Sequence, residues 1–284
     1  MKGDKWLFEI TPKTSLLKFD LKEVWRYRDL LMLFVKRDII TLYKQTILGP
    51  LWYVIQPLFT SVIFTVIFNK VAGIETGQIP PFLFMLAGVT TWNYFKECLT
   101  ATSDTFKKNE QIFGKVYFPR IIMPLAIVIS NLLKFGIQFG IFVAFYIYYL
   151  VNSTDISPNI YVVFYPFVII CMGILGLGLG MIISSMVTKY RDLSFLVAFG
   201  VQLLMYLSAV MYSILDIGDN LGNASWIIEY NPLAILIETS RFMLLGEGVI
   251  NENQLIITGA LSLIILIFGA LIFNKTEKSF IDTI

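Results

Sequence analysis

No histidine occurs anywhere in the 284 residues, which removes the commonest general base and the commonest transition-metal ligand. Cysteine is nearly as scarce. Cys98 and Cys171 are the only two, both inside apolar stretches, too few for a Cys-rich metal site and badly placed for a secretory disulfide framework. Charge is thin as well: Asp, Glu, Lys and Arg make up 15% and the net charge is +2, so no basic patch addresses a nucleic acid. A G-x-x-x-x-G-K-[ST] phosphate loop is missing, which leaves the chain without a Walker-type nucleotide site. The start mixes charges with Pro12 and lacks a nearby apolar core, so the first fifty or so residues are expected to stay in the cytosol.

What is abundant is apolar. Hydrophobic residues reach 57% and the mean hydropathy is +0.74, too greasy for a water-facing domain of this length. Lipid is the solvent. A bilayer core takes about 20 helical residues, and six segments have that length: 51–72, 82–101, 121–150, 160–187, 195–214 and 254–274. The expected fold is therefore an all-α membrane protein, with residues 1–50 a cytosolic segment and 51–284 one six-span domain. With both termini on one side, that side carries eighteen Lys and Arg; the opposite loops carry two, Lys70 and Arg241. The asymmetry puts both termini in the cytosol.

Two further parts do not span. Between 22 and 48, Asp29, Lys36, Arg37 and Lys44 share a helical face while Leu30, Leu33, Phe34, Ile40 and Tyr43 supply apolar area, which predicts an amphipathic helix in the membrane interface. Segment 216–250 is too interrupted to cross twice and too apolar for a free loop. It is expected to form two short helices broken at Pro232 that re-enter the outer leaflet.

Few residues suggest chemistry. Gly173, Gly176, Gly178 and Gly180 follow no strand and are expected to let helices approach closely. Lys96, Glu97 and Lys134 are the ionisable groups within the spans. Lys134 marks where the long third helix leaves the inner headgroups, since the apolar run after it is almost long enough to span. From Ser103 to Pro119, Lys107, Lys108, Glu110 and Lys115 interleave with Phe106, Ile112 and Phe113. That amphipathic segment is either a helix docking into a partner's groove or an interfacial connector. Polar stripes run through the first span (Tyr53, Gln56, Thr60) and the fifth (Gln202, Tyr206, Ala209, Ser213) at helical spacing. They either line a hydrated path or bond neighbouring helices.

Arg37, Tyr43 and LGPLWYVIQP from Leu48 to Pro57, then Asn109, Ile112 and KVYFPRIIMP from Lys115 to Pro124, then Tyr190-Arg191-Asp192, then Asn231-Pro232 followed by Arg241, lie in order along nearly the whole chain. This series resembles the permease family of polysaccharide-exporting ABC transporters. The resemblance implies a homodimer of six-span subunits in the cell inner membrane. Two copies of a separate ATPase subunit would hold ATP and Mg, with no cofactor in this chain. The substrate would be a long glycan on a polyprenyl pyrophosphate or related lipid.

It further implies that the Ser103–Pro119 helix is the coupling helix, with Lys107, Lys108, Glu110 and Phe113 meeting the ATPase. The first and fifth spans would line the channel through Tyr53, Gln56, Gln202, Tyr206 and Ser213. Glu238 and Arg241 would sit at the outer gate, Arg241 either meeting the lipid pyrophosphate or pairing with Glu238 to hold the re-entrant hairpin. Lys134 departs from members with acidic residues at its place, and FPRIIMP from members with an acidic residue after the arginine. The expected function is export of a lipid-linked O-antigen-type polysaccharide, with capsule or teichoic acid as the alternative cargo. From another class, a membrane glycosyltransferase or acyltransferase would show clustered acids or a histidine at an interface, and none is evident.

Overall fold

A computed structural model describes residues 21–44, 49–113, 116, 118–152, 159–190, 192–214, 226–246, 248 and 250–281. The expectations resting on 1–20, Leu48, Lys115, Tyr117, Arg191 and 216–225 lie outside these residues. The described residues form helices and connectors, with no strand among them. Short α1 (Leu21–Arg26) and α2 (Arg28–Tyr43) precede α3 (Trp52–Phe64), which continues as a π-turn over Thr65–Val71. Then come α4 (Pro81–Ser103), α5 (Thr105–Phe113), α6 (Ile122–Asn152), α7 (Tyr165–Lys189) and α8 (Leu193–Leu207). After these come α9 (Trp226–Glu229), α10 (Pro232–Leu245) and α11 (Glu252–Ile281).

Four described stretches are long and apolar enough to cross a membrane: Gly49–Val71, Ile122–Asn152, Ile160–Lys189 and Glu252–Glu277. The segment expected at 82–101 is the 23-residue α4, which is more polar. Its position explains the difference. α4 packs against α3, α6, α7, α8 and α10 and is buried without a break from Leu83 to Phe95. A helix shielded from lipid by its neighbours can carry Thr90, Thr91 and Asn93 without exposing them to hydrocarbon.

The fifth expected span differs more. Instead of running to 214, α8 ends at Leu207 after 15 residues. Ser213 therefore does not continue the helical stripe of Gln202 and Tyr206. Beyond the break, Ala209 has a φ of 52°, a left-handed conformation that interrupts a helix of L-residues.

α7 shows what its glycines do. A Cβ on Gly173, Gly176 or Gly180 would stand 2.8 Å from the Tyr94 hydroxyl, 2.7 Å from Cys98 Cβ or 2.6 Å from Thr102 Cβ, all on α4. A Cβ on Gly178 would lie 2.9 Å from Leu266 Cα on α11, and one on Gly269 would strike the Gly178 backbone. Glycines on two faces of one helix thus bring two neighbours to backbone distance.

Around α5 a smaller aromatic core gathers α2, α5, α6 and α11 around Phe34, Phe106, Phe113, Phe118, Ile122 and Phe273. α2 buries Phe34 and Val35 against this core while Trp25 of α1 and Met32 and Leu33 of α2 stay exposed. One side of α2 is thus seated on protein, and the exposed apolar residues lie beside Asp29 and Lys36, as in an interfacial helix.

Candidate functional site

One cluster is built on the break after α8. A helix that stops leaves its last carbonyls without intrahelical donors, and here Asn231 serves the last of them while Arg241 serves two carbonyls beyond the helix end. Asn231 Nδ2 donates to the Leu207 carbonyl at 2.9 Å, and Arg241 donates through Nη1 to the Tyr212 carbonyl at 2.9 Å and through Nη2 to the Val210 carbonyl. Nη1 also lies 3.4 Å from Glu238 Oε2. The other Glu238 oxygen accepts from Ser213 Oγ at 2.8 Å. The guanidinium is completely buried and sits 3.9 Å from the Phe84 ring centroid. A planar cation with several donors can close two backbone carbonyls, a carboxylate and a ring face at once.

Space for it comes from Gly88 of α4. A Cβ there would stand 2.6 Å from Arg241 Nη2 and 2.7 Å from the Val210 carbonyl. Asn231 has a second task, because its Oδ1 accepts from the Leu233 N–H at 3.0 Å as the N-cap of α10. Pro232 occupies the first helical position, where a missing N–H costs nothing. Thr91 Oγ1 lies 3.3 Å from both the Tyr165 hydroxyl and Ser240 Oγ, joining α4, α7 and α10.

A second cluster centres on α5, which kinks at Asn109 (φ −114°, ψ 16°). Phe106 stacks on Phe273 with ring centroids 4.5 Å apart, and Phe113 packs on Phe118 at 5.9 Å. Phe113 is buried, so it seats α5 on the membrane domain. Lys107 and Glu110 are exposed and, with Ser184, Val187 and Thr188 of α7, border a cleft of about 220 Å³. Lys108 is paired with Asp104 at 3.1 Å. Arg120 lies over the Phe113 ring at 5.0 Å and donates to the Glu277 carbonyl at 3.0 Å, with the Glu277 carboxylate at 3.7 Å. Burial lowers the pKa of this arginine and Glu277 raises it. The Phe118-Pro119-Arg120 run is thus a joint between α5, α6 and α11.

The two polar stripes sit on helices with different neighbours. α3 packs on α4 and α6, α8 on α4 and α7. Gln56, Gln202 and Tyr206 are exposed and Tyr53 half-buried, while Ser213 belongs to the Arg241 cluster. Gln56 and Thr60 face outward with Trp52, Ile55, Phe59 and Ile63 in a shallow groove along α3.

Residues 29–245 match the model of the family described as ABC-2 type transporter. The chain belongs to the ABC-2 type transporter family. Two O-antigen export system permease proteins RfbA of Klebsiella pneumoniae are each 31% identical to it over 256 residues, covering 89% of this chain and 94% of theirs. The O-antigen export system permease protein RfbA of Myxococcus xanthus is 23% identical over 264 residues, 93% of this chain and 98% of that one. This chain is a polysaccharide-exporting ABC permease by family and a multi-pass membrane protein by fold.

In this ABC-2 type transporter subunit the matched region runs from α2 through the last residue of α10 and takes in both clusters. Sequence reasoning missed Gly88, Phe84 and Asn231 as parts of the Arg241 cluster. Asn231-Pro232 carried a usable signal, since an Asx residue before proline is the pattern of an N-cap and first turn. Gly88 carried none. Its role depends on Arg241, which is 153 positions away.

Proposed function

We propose that this chain is the membrane-spanning subunit of an ATP-driven exporter that moves lipid-linked O-antigen-type polysaccharide outward across the cell inner membrane. The observation that carries the reading is the 31% identity, over 89% of the chain, to permeases named for O-antigen export. Six spans complete the topology, α4 and the α8 segment joining the four long apolar helices, with both termini cytosolic and the α9–α10 hairpin re-entering the outer leaflet. α4 is about 34 Å long at 1.5 Å per residue, enough to cross. The exposed stripes of α3 and α8 support a homodimer, in which outward-facing polar residues of two copies would meet across a channel. Two copies of a separate ATPase subunit bind ATP and Mg and engage α5. Aromatic faces and amides suit the apolar faces and hydroxyls of sugars through weak repeated contacts that let a polymer slide.

Reconstitution of the chain with its ATPase and a lipid-linked O-antigen tests the reading. Tyr206→Ala and Gln56→Leu are expected to slow export about three- to tenfold, as loss of one aromatic or hydrogen-bonding contact would, with dimerisation retained. Cysteines placed at Tyr53, Gln56, Gln202 and Tyr206, with Cys98 and Cys171 replaced, should react with a water-soluble thiol reagent during turnover. Undiminished surface O-antigen in cells lacking the chain would overturn the proposed function.

The ATPase contact has its own test. Charge reversal at Lys107 and Glu110 together is expected to weaken co-purification of the ATPase about tenfold, since interfacial charges steer and register docking. Phe113→Ala should act differently, costing about 3 kcal/mol of packing and unseating α5. Thermal unfolding of the purified dimer separates the two, because only Phe113→Ala should lower its midpoint.

A further inference from the structure

α4 and α6 meet along a ladder of polar pairs. Asn93 Nδ2 lies 3.4 Å from Gln138 Oε1, Lys134 Nζ 3.6 Å from Glu97 Oε2, and Asn131 Nδ2 4.0 Å from Cys98 Sγ. The amide rungs are hydrogen-bonded, whereas the charged rung is an ion pair longer than a hydrogen bond, with the Cys98 thiol beside both charges. The ammonium also lies 5.4 Å from the Tyr53 ring centroid of α3. Lys134 carries three N–H donors and this one loose ion pair, on a side chain only 16% exposed, so it can turn a donor to a ligand.

Depth says which ligand. The eighteen residues of α6 after Lys134, Phe135 to Asn152, span about 27 Å, close to the roughly 30 Å of a hydrocarbon core. The sixteen residues of α4 before Glu97, Pro81 to Lys96, span about 24 Å. Tyr53 is the second residue of α3. On the proposed topology all three therefore sit at the cytosolic edge of the hydrocarbon, where lipid phosphates lie. An ammonium there attracts a phosphate by charge-assisted hydrogen bonds, and Glu97, with a 37% exposed side chain, has room to turn aside.

We propose that Lys134 binds a lipid-borne phosphate at the inner leaflet, with Glu97 as the internal anion that this phosphate displaces. The inference rests on the exporter topology and deepens it by naming where the carrier lipid's diphosphate docks before transport. The pair is then a competition, and its two members have effects of opposite sign on ligand affinity. A merely structural ion pair would lose from either substitution.

The test uses the complex with its ATPase in phosphatidylcholine nanodiscs, titrated separately with undecaprenyl diphosphate and with phosphatidylglycerol, binding being read by native mass spectrometry. Lys134→Gln is expected to raise the half-saturating undecaprenyl diphosphate concentration about tenfold, the worth of one charge-assisted bond. Glu97→Gln should lower it about threefold, and Lys134→Arg should stay within about twofold of the unaltered protein because it keeps the charge. If phosphatidylglycerol follows the same pattern, the phosphate is also that of bulk lipid and the site stands with a broader ligand. Shifts of the same sign in Lys134→Gln and Glu97→Gln, or no shift in either, would overturn the inference. An export assay on the same preparations keeps the two readings apart. Intact export with unshifted binding defeats the phosphate site alone, whereas opposite shifts in a protein that exports nothing defeat the exporter reading alone.

Discussion

Arg241→Ala is expected to destabilise the protein by about 3–5 kcal/mol, the usual result of removing one partner from a fully buried ion pair. The loss has three parts. Glu238 keeps Ser213 as a donor but loses its cation, the Val210 and Tyr212 carbonyls lose their side-chain donor, and a cavity opens beside Phe84. Arg241→Lys keeps the charge but cannot span both carbonyls, so about 1–3 kcal/mol should be lost. Glu238→Gln should be milder still, because an amide oxygen can accept from Ser213 and Arg241. The order Ala, Lys, Gln is read from the thermal unfolding midpoints of the purified protein. An Arg241→Ala protein as stable as the unaltered one would show that the end of α8 does not depend on this clamp.

Gly178→Leu should have a comparable effect by a different route. Overpacking commonly costs about 1–3 kcal/mol when side chains can give way. Here the nearest atoms are the backbone of Ile265 and Leu266, at 2.9 Å from a mere Cβ, and a helix backbone can yield only by moving whole. The expected outcome is little or no folded protein in the membrane. Gly136→Ala and Gly140→Ala on α6 are the controls, since a Cβ at either position meets nothing within 4 Å. They should be neutral or gain up to about 1 kcal/mol from helix propensity. Equal membrane levels for Gly178→Leu and Gly136→Ala would mean that α7 and α11 are not held at backbone distance.

Much of this architecture could be read in the sequence, for reasons that are local. Long apolar runs mark helices without knowledge of packing, and Asn231-Pro232 marks a helix start by its own chemistry. The amphipathic pattern from Ser103 located α5, yet it could not tell that Phe113 faces the membrane domain while Lys107 and Glu110 face outward. That depends on Phe118 and Arg120, which return to the helix from beyond its end.

The stripe in the fifth span misled for a related reason. Gln202, Tyr206 and Ser213 fall at helical intervals in the sequence, but intervals carry no information about a helix that stops at Leu207. The break is made stable by Asn231 and Arg241, partners supplied from later in the chain. Gly88 and Phe84 were invisible for the same cause, being ordinary residues of an apolar helix until an arginine is packed against them.

The glycine faces of α7 carry a mechanical implication. With α4 on one side and α11 on another at backbone distance, no layer of side chains remains between these helices to be compressed or sheared, and close-packed interiors are stiff. Bending or sliding within this slab would force main chain through main chain. Compliance has to reside elsewhere, and α3 is the element built for it: kept from a full hydrogen-bond ladder by Pro57, loosened into a π-turn over Thr65–Val71, and with little of its surface buried. Whatever motion the chain makes would be α3 yielding against an unyielding wall.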